Sequence, residues 1–162
     1  MRRSAGLLCY RVPGDGVPVA ETLEVLLVHP GGPFFARRDA GVWTIPKGEY
    51  EPDEEPYAAA RREFTEETGA PPPEGEPLPL GEVKQRGGKL VIAWGYAGDL
   101  DADAIVSNTF PLEWPPRSGR FRQFPEVDRA GWFRVEDARE KINPAQAVFL
   151  DRLLAALTDT AS

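Results

Sequence analysis

The stretch GEYEPDEEPYAAARREFTEETGA, residues 48–70, decides how this chain is read. Within it, EPYAAARREFTEETG predicts one helix, since Pro56 suits a first helical turn and Gly69 a C-terminal cap. Positions i, i+3 and i+4 share a helix face, so Glu63, Glu66 and Glu67 converge. Tyr57, Ala60, Phe64 and Thr68 form the neighbouring stripe, expected to lie on a sheet. Like charges at this spacing cost about a few tenths of a kcal/mol per pair on an exposed helix. A divalent cation reverses the sign of that term, and Mg²⁺ prefers oxygen ligands. A solvated acidic face is the other reading of three such glutamates.

The surrounding sequence supplies strands for that helix to cover. SAGLLCYRV and TLEVLLVHP read as two strands, and VPGDGVP between them as the turn of a hairpin. GGPFFARRDAGVW is a loop, and WTIPKGEYE is short and extended because Pro46 disfavours a helix there. After the Pro-rich APPPEGEPLP, the segment LGEVKQRGGKLVIAWGYAGD reads as two strands joined at RGG. Residues 99–128 have no clear period and predict a long loop with at most one short strand, and loops of that length usually carry function. RAGWFRV is a last strand and EDAREKI a short helix. NPAQAVFLDRLLAAL is a final helix, with Asn143 as N-cap and Pro144 at its first position. Strands interrupted by helices, without a repeat or a linker between two cores, predict one α/β layered domain over residues 1–162 with a mixed β-sheet.

Composition bounds the function. The chain has 162 residues and a net charge of −7, which argues against a broad basic face for duplex nucleic acid. A protein so charged needs metal cations or a local basic cluster to handle phosphates. No apolar run approaches the roughly 20 residues of a membrane helix, and the arginine-led N-terminus lacks a cleavage site of the signal-peptide type. Cys9 is the single cysteine, so no internal disulfide forms, and its apolar neighbours predict a buried structural thiol. One His and one Cys exclude a Cys/His zinc site. These features predict a cytoplasmic protein with no membrane association.

The acidic helix and the loop before it resemble the Nudix hydrolase family, whose signature is G-x5-E-x7-R-E-U-x-E-E-x-G-U, with U a bulky apolar residue. Gly48, Glu54, Arg62, Glu63, Phe64, Glu66, Glu67 and Gly69 match it, and only Ala70 departs, being small. The order of strands and helices is also similar to the family's, so the resemblance extends over most of the chain. It implies an α/β/α sandwich and Mg²⁺- or Mn²⁺-dependent hydrolysis of a nucleoside diphosphate linked to another group. It implies that Glu63, Glu66 and Glu67 are metal ligands, with a main-chain carbonyl near Lys47–Gly48 adding another. Arg62 would orient the carboxylates through Glu54, while Gly48 and Gly69 serve the backbone of the motif.

Outside the motif, Glu126 lies six residues before Trp132. Dinucleoside tetraphosphate hydrolases of this family carry a functional Glu at a similar offset, so Glu126 is a candidate metal ligand or general base, with Glu113 its rival. VWTIPKGEYEP resembles the W-x-x-P-K-G segment of the same branch, which makes Lys47 a candidate phosphate contact. His29 is either a phosphate or ribose contact or a strand-end surface residue. Arg117, Arg120 and Arg122 form the densest basic patch and are candidates for an outer-phosphate clamp, since arginine forks suit phosphate oxygens. Lys84, Arg86 and Lys89 form a second patch at a hairpin tip. Among the aromatic residues, Trp114 is the candidate for stacking on a base. These residues favour a small-molecule substrate, a dinucleoside or nucleoside polyphosphate. Oxidised nucleoside triphosphates, an RNA 5′ end and a non-catalytic nucleotide-binding module of the same fold are the alternatives, and a homodimer is left open.

Overall fold

The computed structural model describes residues 2–12 and 18–160. In chain order the strands are β1 (Arg3–Arg11), β2 (Glu24–Pro30), β3 (Lys47–Glu49), β4 (Leu78–Lys84), β5 (Leu90–Ala97), β6 (Thr109–Glu113), β7 (Phe121–Pro125) and β8 (Val127–Arg134). The helices are α1 (Val19–Thr22), α2 (Pro56–Thr68), α3 (Val135–Lys141) and α4 (Ala147–Thr160). The main sheet runs β4-β5-β1-β2-β8, with β3 also paired to β1. The β1–β5 pair is parallel and the others are antiparallel, so the sheet is mixed as expected.

Strand β1 is buried because both of its faces are covered. Ala5, Leu7 and Cys9 point to one side and join Ala59, Ala60 and Phe64 of α2, whereas Leu8 packs on the other side with Phe149, Leu150 and Leu153 of α4. This alternation is the period of two along a strand, and it gives the layered sandwich of helix, sheet and helix. Cys9 is fully buried, and burial, before the neighbouring Asp99, pushes its thiol up to about 12. It is the inert thiol expected from its neighbours.

Several local expectations change on folding. Strands β1 and β2 pair antiparallel only at Tyr10–Val25 and Arg11–Glu24, because β3 takes the rest of that edge through Ser4, Ala5 and Gly6. Most of the expected hairpin turn lies outside the described residues, and the single turn of α1 precedes β2. The long loop is more ordered than its sequence suggests. It holds a short 3-10 turn at Ala102–Ala104 and then a separate ribbon in which β6 and β7 pair from Thr109–Pro125 to Glu113–Phe121. Pro111 and Pro125 hide this ribbon from strand propensity, yet proline is tolerated on an edge. The final helix is also divided: Asn143 caps a 3-10 turn at Pro144–Gln146, and α4 begins after it.

That 3-10 turn fixes the loop in front of the motif. Gln146 is fully buried, its Oε1 accepts from the Ile45 N–H (3.0 Å), and its Nε2 donates to Gln85 Oε1 (2.8 Å). The Leu7 N–H donates to the Pro46 carbonyl (3.1 Å). Lys47 and Gly48 are thereby held beside α2.

Candidate functional site

Helix α2 is built to present its acidic face. Glu55 caps it through the N–H groups of Tyr57 and Ala58, Pro56 opens it, and Gly69 closes it at φ 76°, where the left-handed backbone favours glycine. The last carbonyls of a helix lack intrahelical partners. Here the Asn108 N–H donates to the Glu66 carbonyl (2.8 Å) and the Val106 N–H to that of Thr68 (2.9 Å). The Asn108 carbonyl then accepts from the Glu126 N–H (2.9 Å). The long loop therefore closes the helix end and delivers Glu126 to it, although Glu126 lies far away in sequence.

The result is a cleft of about 390 Å³. It is lined by the carboxylates of Glu63, Glu66, Glu67 and Glu126 and by the cations Arg2, Lys47 and Lys89, with Gly48, Glu49 and Asn108 completing the lining. Glycine at position 48 lets the Glu63 carboxylate lie against the backbone, since a Cβ there would displace it. The Glu67 Oε1 accepts from the Lys47 backbone N–H (3.2 Å). Arg62 donates to Glu54 (3.0 and 3.1 Å), Glu63 (2.9 Å) and Glu66 (3.2 Å), and the hydrogen bond to Glu54, ahead of the others, holds its guanidinium firmly charged. The expected Arg62–Glu54 pair is present.

The electrostatics are strained in a consistent sense. Burial, then the charge of Glu66, pushes the Glu63 carboxyl up. Burial also pushes Glu67 up, with Glu63 and Glu126 adding to it against the pull of Lys47. Lys47 is held down by burial and by the nearby Lys89 ammonium. An acid whose folded pKa lies above its unfolded value weakens the fold as pH rises, beginning at the unfolded value near 4.5 and reaching the full loss above the folded value. Lys47 adds a penalty of opposite slope, present at lower pH and lost only as pH rises toward 10.5. Without divalent ions, Glu67→Gln is therefore expected to unfold at higher urea concentration than wild type at pH 7.5, and at the same concentration near pH 4. Urea midpoints at the two pH values check this.

Among the described residues, no three Asp, Glu, His or Cys side chains are grouped closely enough to hold a metal ion as they stand. Glu63 and Glu66 turn instead to Arg62, and Glu67 to the Lys47 N–H. The donor set still suits a hard divalent cation. It consists of carboxylate oxygens from one helix face, two of them pushed above the usual carboxylate range by burial and then by the charge of neighbouring carboxylates, beside a backbone with no Cβ in the way.

The other predicted residues fall elsewhere. His29 is fully buried, with Nδ1 against Asp128 Oδ1 (2.8 Å), Nε2 against the Arg38 carbonyl (2.7 Å) and its ring edge-on to Trp43. Both nitrogens are committed inside the fold, which corrects the expectation of a phosphate or ribose contact and that of a surface residue. His29→Ala is expected to cost roughly 3 kcal/mol, since it removes a fully buried ring together with its two hydrogen bonds and opens a cavity; a lower urea midpoint at unchanged slope checks it. Arg117, Arg120 and Arg122 sit on the β6–β7 ribbon, outside the walls of the cleft. The Arg117 N–H donates to Glu113 Oε1 (2.7 Å), and the Arg122 guanidinium lies over Phe124. Trp114 meets Phe34 edge to face. Arg2, Lys89 and Asn108 were not singled out as cleft residues by sequence. Lys89 belonged to a noted basic patch, but nothing local in the sequence marks which member of that patch turns inward.

This cleft sits in a fold shared by many solved structures. The structure of a Caenorhabditis elegans Ap4A hydrolase binary complex superposes with a TM-score of 0.63 at 23% identity, covering 98% of this chain and 99% of the other. A mutT/nudix family protein from Listeria innocua gives 0.61 at 18% identity, covering 98% and 95%. At these identities the likeness is one of fold. The NUDIX domain model matches residues 10–153. The chain belongs to the Nudix family. Its similarity to named enzymes agrees: diphosphoinositol polyphosphate phosphohydrolase 2 of Rattus norvegicus is 30% identical over 162 residues, covering 98% of this chain and 74% of the relative. The Homo sapiens protein of the same name is 30% identical over 155 residues, covering 94% and 70%. This Nudix protein is thus a pyrophosphohydrolase with the mixed α/β fold of its relatives. Among its described residues, no helix is long and apolar enough to cross a membrane.

Proposed function

We propose that this Nudix enzyme, as one domain over residues 1–162, hydrolyses a pyrophosphate bond in a dinucleoside or nucleoside polyphosphate in the cytoplasm. The observation that carries the reading is the meeting of Glu63, Glu66, Glu67 and Glu126 with Arg2, Lys47 and Lys89 in one cleft. The acids suit divalent cations, and the cations suit phosphate oxygens. Glu63, Glu66 and Glu67 would hold Mg²⁺ or Mn²⁺, together with a main-chain carbonyl near Lys47–Gly48, once Arg62 yields Glu63 and Glu66. The chemistry that such an ion supplies when bound is neutralisation of the diphosphate and activation of water. Glu126, which lines the same cleft, takes the proton of the attacking water. Lys47 and Lys89 grip the phosphate oxygens. Arg62, anchored by Glu54, keeps the carboxylates oriented. The ribbon springs from the cleft at Asn108 and Glu126, and its five-residue strands reach roughly 14 Å outward at about 3.4 Å per residue. Arg117, Arg120 and Arg122 therefore meet only the far end of a long polyphosphate.

A second reading, a diphosphoinositol polyphosphate as substrate, is favoured by the names of the relatives and by the three cations that line the cleft. A panel containing diadenosine tetraphosphate, a nucleoside triphosphate and a diphosphoinositol polyphosphate separates the two readings. With Mg²⁺, the nucleotides are expected to turn over, and a chelator is expected to stop the reaction. Turnover of the inositol compound alone would overturn the nucleotide reading.

A further inference from the structure

A second cavity, of about 550 Å³, adjoins the acidic cleft and shares Arg2 and Glu49 with it. That volume lies in the range of about 300–1,000 Å³ typical of ligand pockets. Its chemistry differs from that of the cleft. Tyr50, Pro52 and Pro56 contribute ring faces, which the cleft lacks. The wall is also well anchored. The Tyr50 N–H donates to the Arg3 carbonyl (3.1 Å), the Tyr50 side chain packs against the core beneath α2, and the Glu54 N–H donates to the Glu51 carbonyl (2.9 Å). Arg2 stands at the junction, within 3.6 Å of Glu49, and the exposed Arg3 also lines the cavity.

Beyond the junction the cavity is lined by Glu51 and by Glu54, whose carboxylate is already paired with Arg62. Carboxylates repel a phosphate but accept hydrogen bonds from an amine or a hydroxyl. Flat rings pack well against tyrosine and proline faces. We propose that this cavity binds the nucleoside end of the substrate, with its phosphates passing over Arg2 and Arg3 into the acidic cleft. The inference rests on the nucleotide reading above and adds where the uncharged end sits. A phosphate-studded ring, by contrast, would be repelled by Glu51.

The test uses AMP as the probe and isotope-labelled protein in magnetic resonance titrations, with Tyr50→Ala and Arg3→Ala as variants. Arg3 is exposed, so its variant reports even if the tyrosine variant folds poorly. In the wild type, the backbone amides of Arg3, Tyr50, Glu51 and Glu54 are expected to shift saturably. Each variant is expected to weaken AMP by at least about fivefold, in keeping with the roughly 1 kcal/mol or more of a lost stacking or charged contact. Shifts confined to other regions, no shifts at all, or wild-type affinity in both variants would overturn the proposal. Hydrolysis of diadenosine tetraphosphate by the wild type is followed in parallel. If AMP binds as expected and no nucleotide is hydrolysed, the cavity stands and the substrate reading fails. If nucleotides are hydrolysed but AMP ignores the cavity, the reverse holds.

Discussion

Glu67→Gln is expected to lower kcat by a factor of about 10² or more, with a much smaller change in KM. The amide keeps the shape of the carboxylate, and its oxygen can still accept from the Lys47 N–H. What it loses is charge at the most strongly perturbed acid of the cleft. Removing one preorganised electrostatic contact of this sort typically costs about 10²–10³ in kcat, because the interaction strengthens as charge develops in the transition state. The fold should not suffer, since burial already disfavours the charged form. Steady-state kinetics with Mg²⁺, read beside a urea titration, check both halves. Full activity in the variant would remove Glu67 from the machinery.

Gly48→Ala is expected to lower kcat roughly 10²-fold while leaving the melting temperature almost unchanged. The backbone of β3 pairs with β1 at Ala5–Gly48, and its conformation there is one that alanine adopts. The three atoms nearest to the added Cβ all belong to the Glu63 carboxylate, the far end of a flexible side chain. Glu63 swings away, so the collision is relieved without disturbing the sheet. The carboxylate then leaves the cleft, and a misplacement of about 1 Å in a reacting constellation is worth about 10²-fold in rate. Because both changes act on one carboxylate, Gly48→Ala adds little to Glu63→Gln, and the double variant should be about as slow as the worse single one. Additive losses would show that Gly48 acts by some other route.

The acidic helix was legible because its information is local. Pro56, Gly69 and the 3–4 spacing of Glu63, Glu66 and Glu67 act within one element, and the structure reproduces its bounds and its cap. The β4–β5 hairpin was legible for the same reason, with its Gly-rich turn. The β6–β7 ribbon was not, because prolines mask its strand character and its pairing closes over a turn rich in arginine and proline. His29 was misread at a strand end, since its partners Arg38 and Asp128 come from elsewhere in the chain.

The sequence by itself determined that a helix with a gathered acidic face exists, that Gly48 and Arg62 accompany it, and that the chain is a mixed α/β protein of this family. Those features depend on spacing within a few turns or on alternation along a strand. Only the tertiary structure decided which distant residues complete the site. Glu126 arrives because Asn108 bridges it to the open end of α2, and Lys89 and Arg2 arrive because β5 and β1 run parallel side by side. It also decided that Arg117, Arg120 and Arg122 stay on the ribbon, outside the cleft. The physical reason is that backbone hydrogen bonds between remote segments, which no local residue pattern encodes, set where each charge is held.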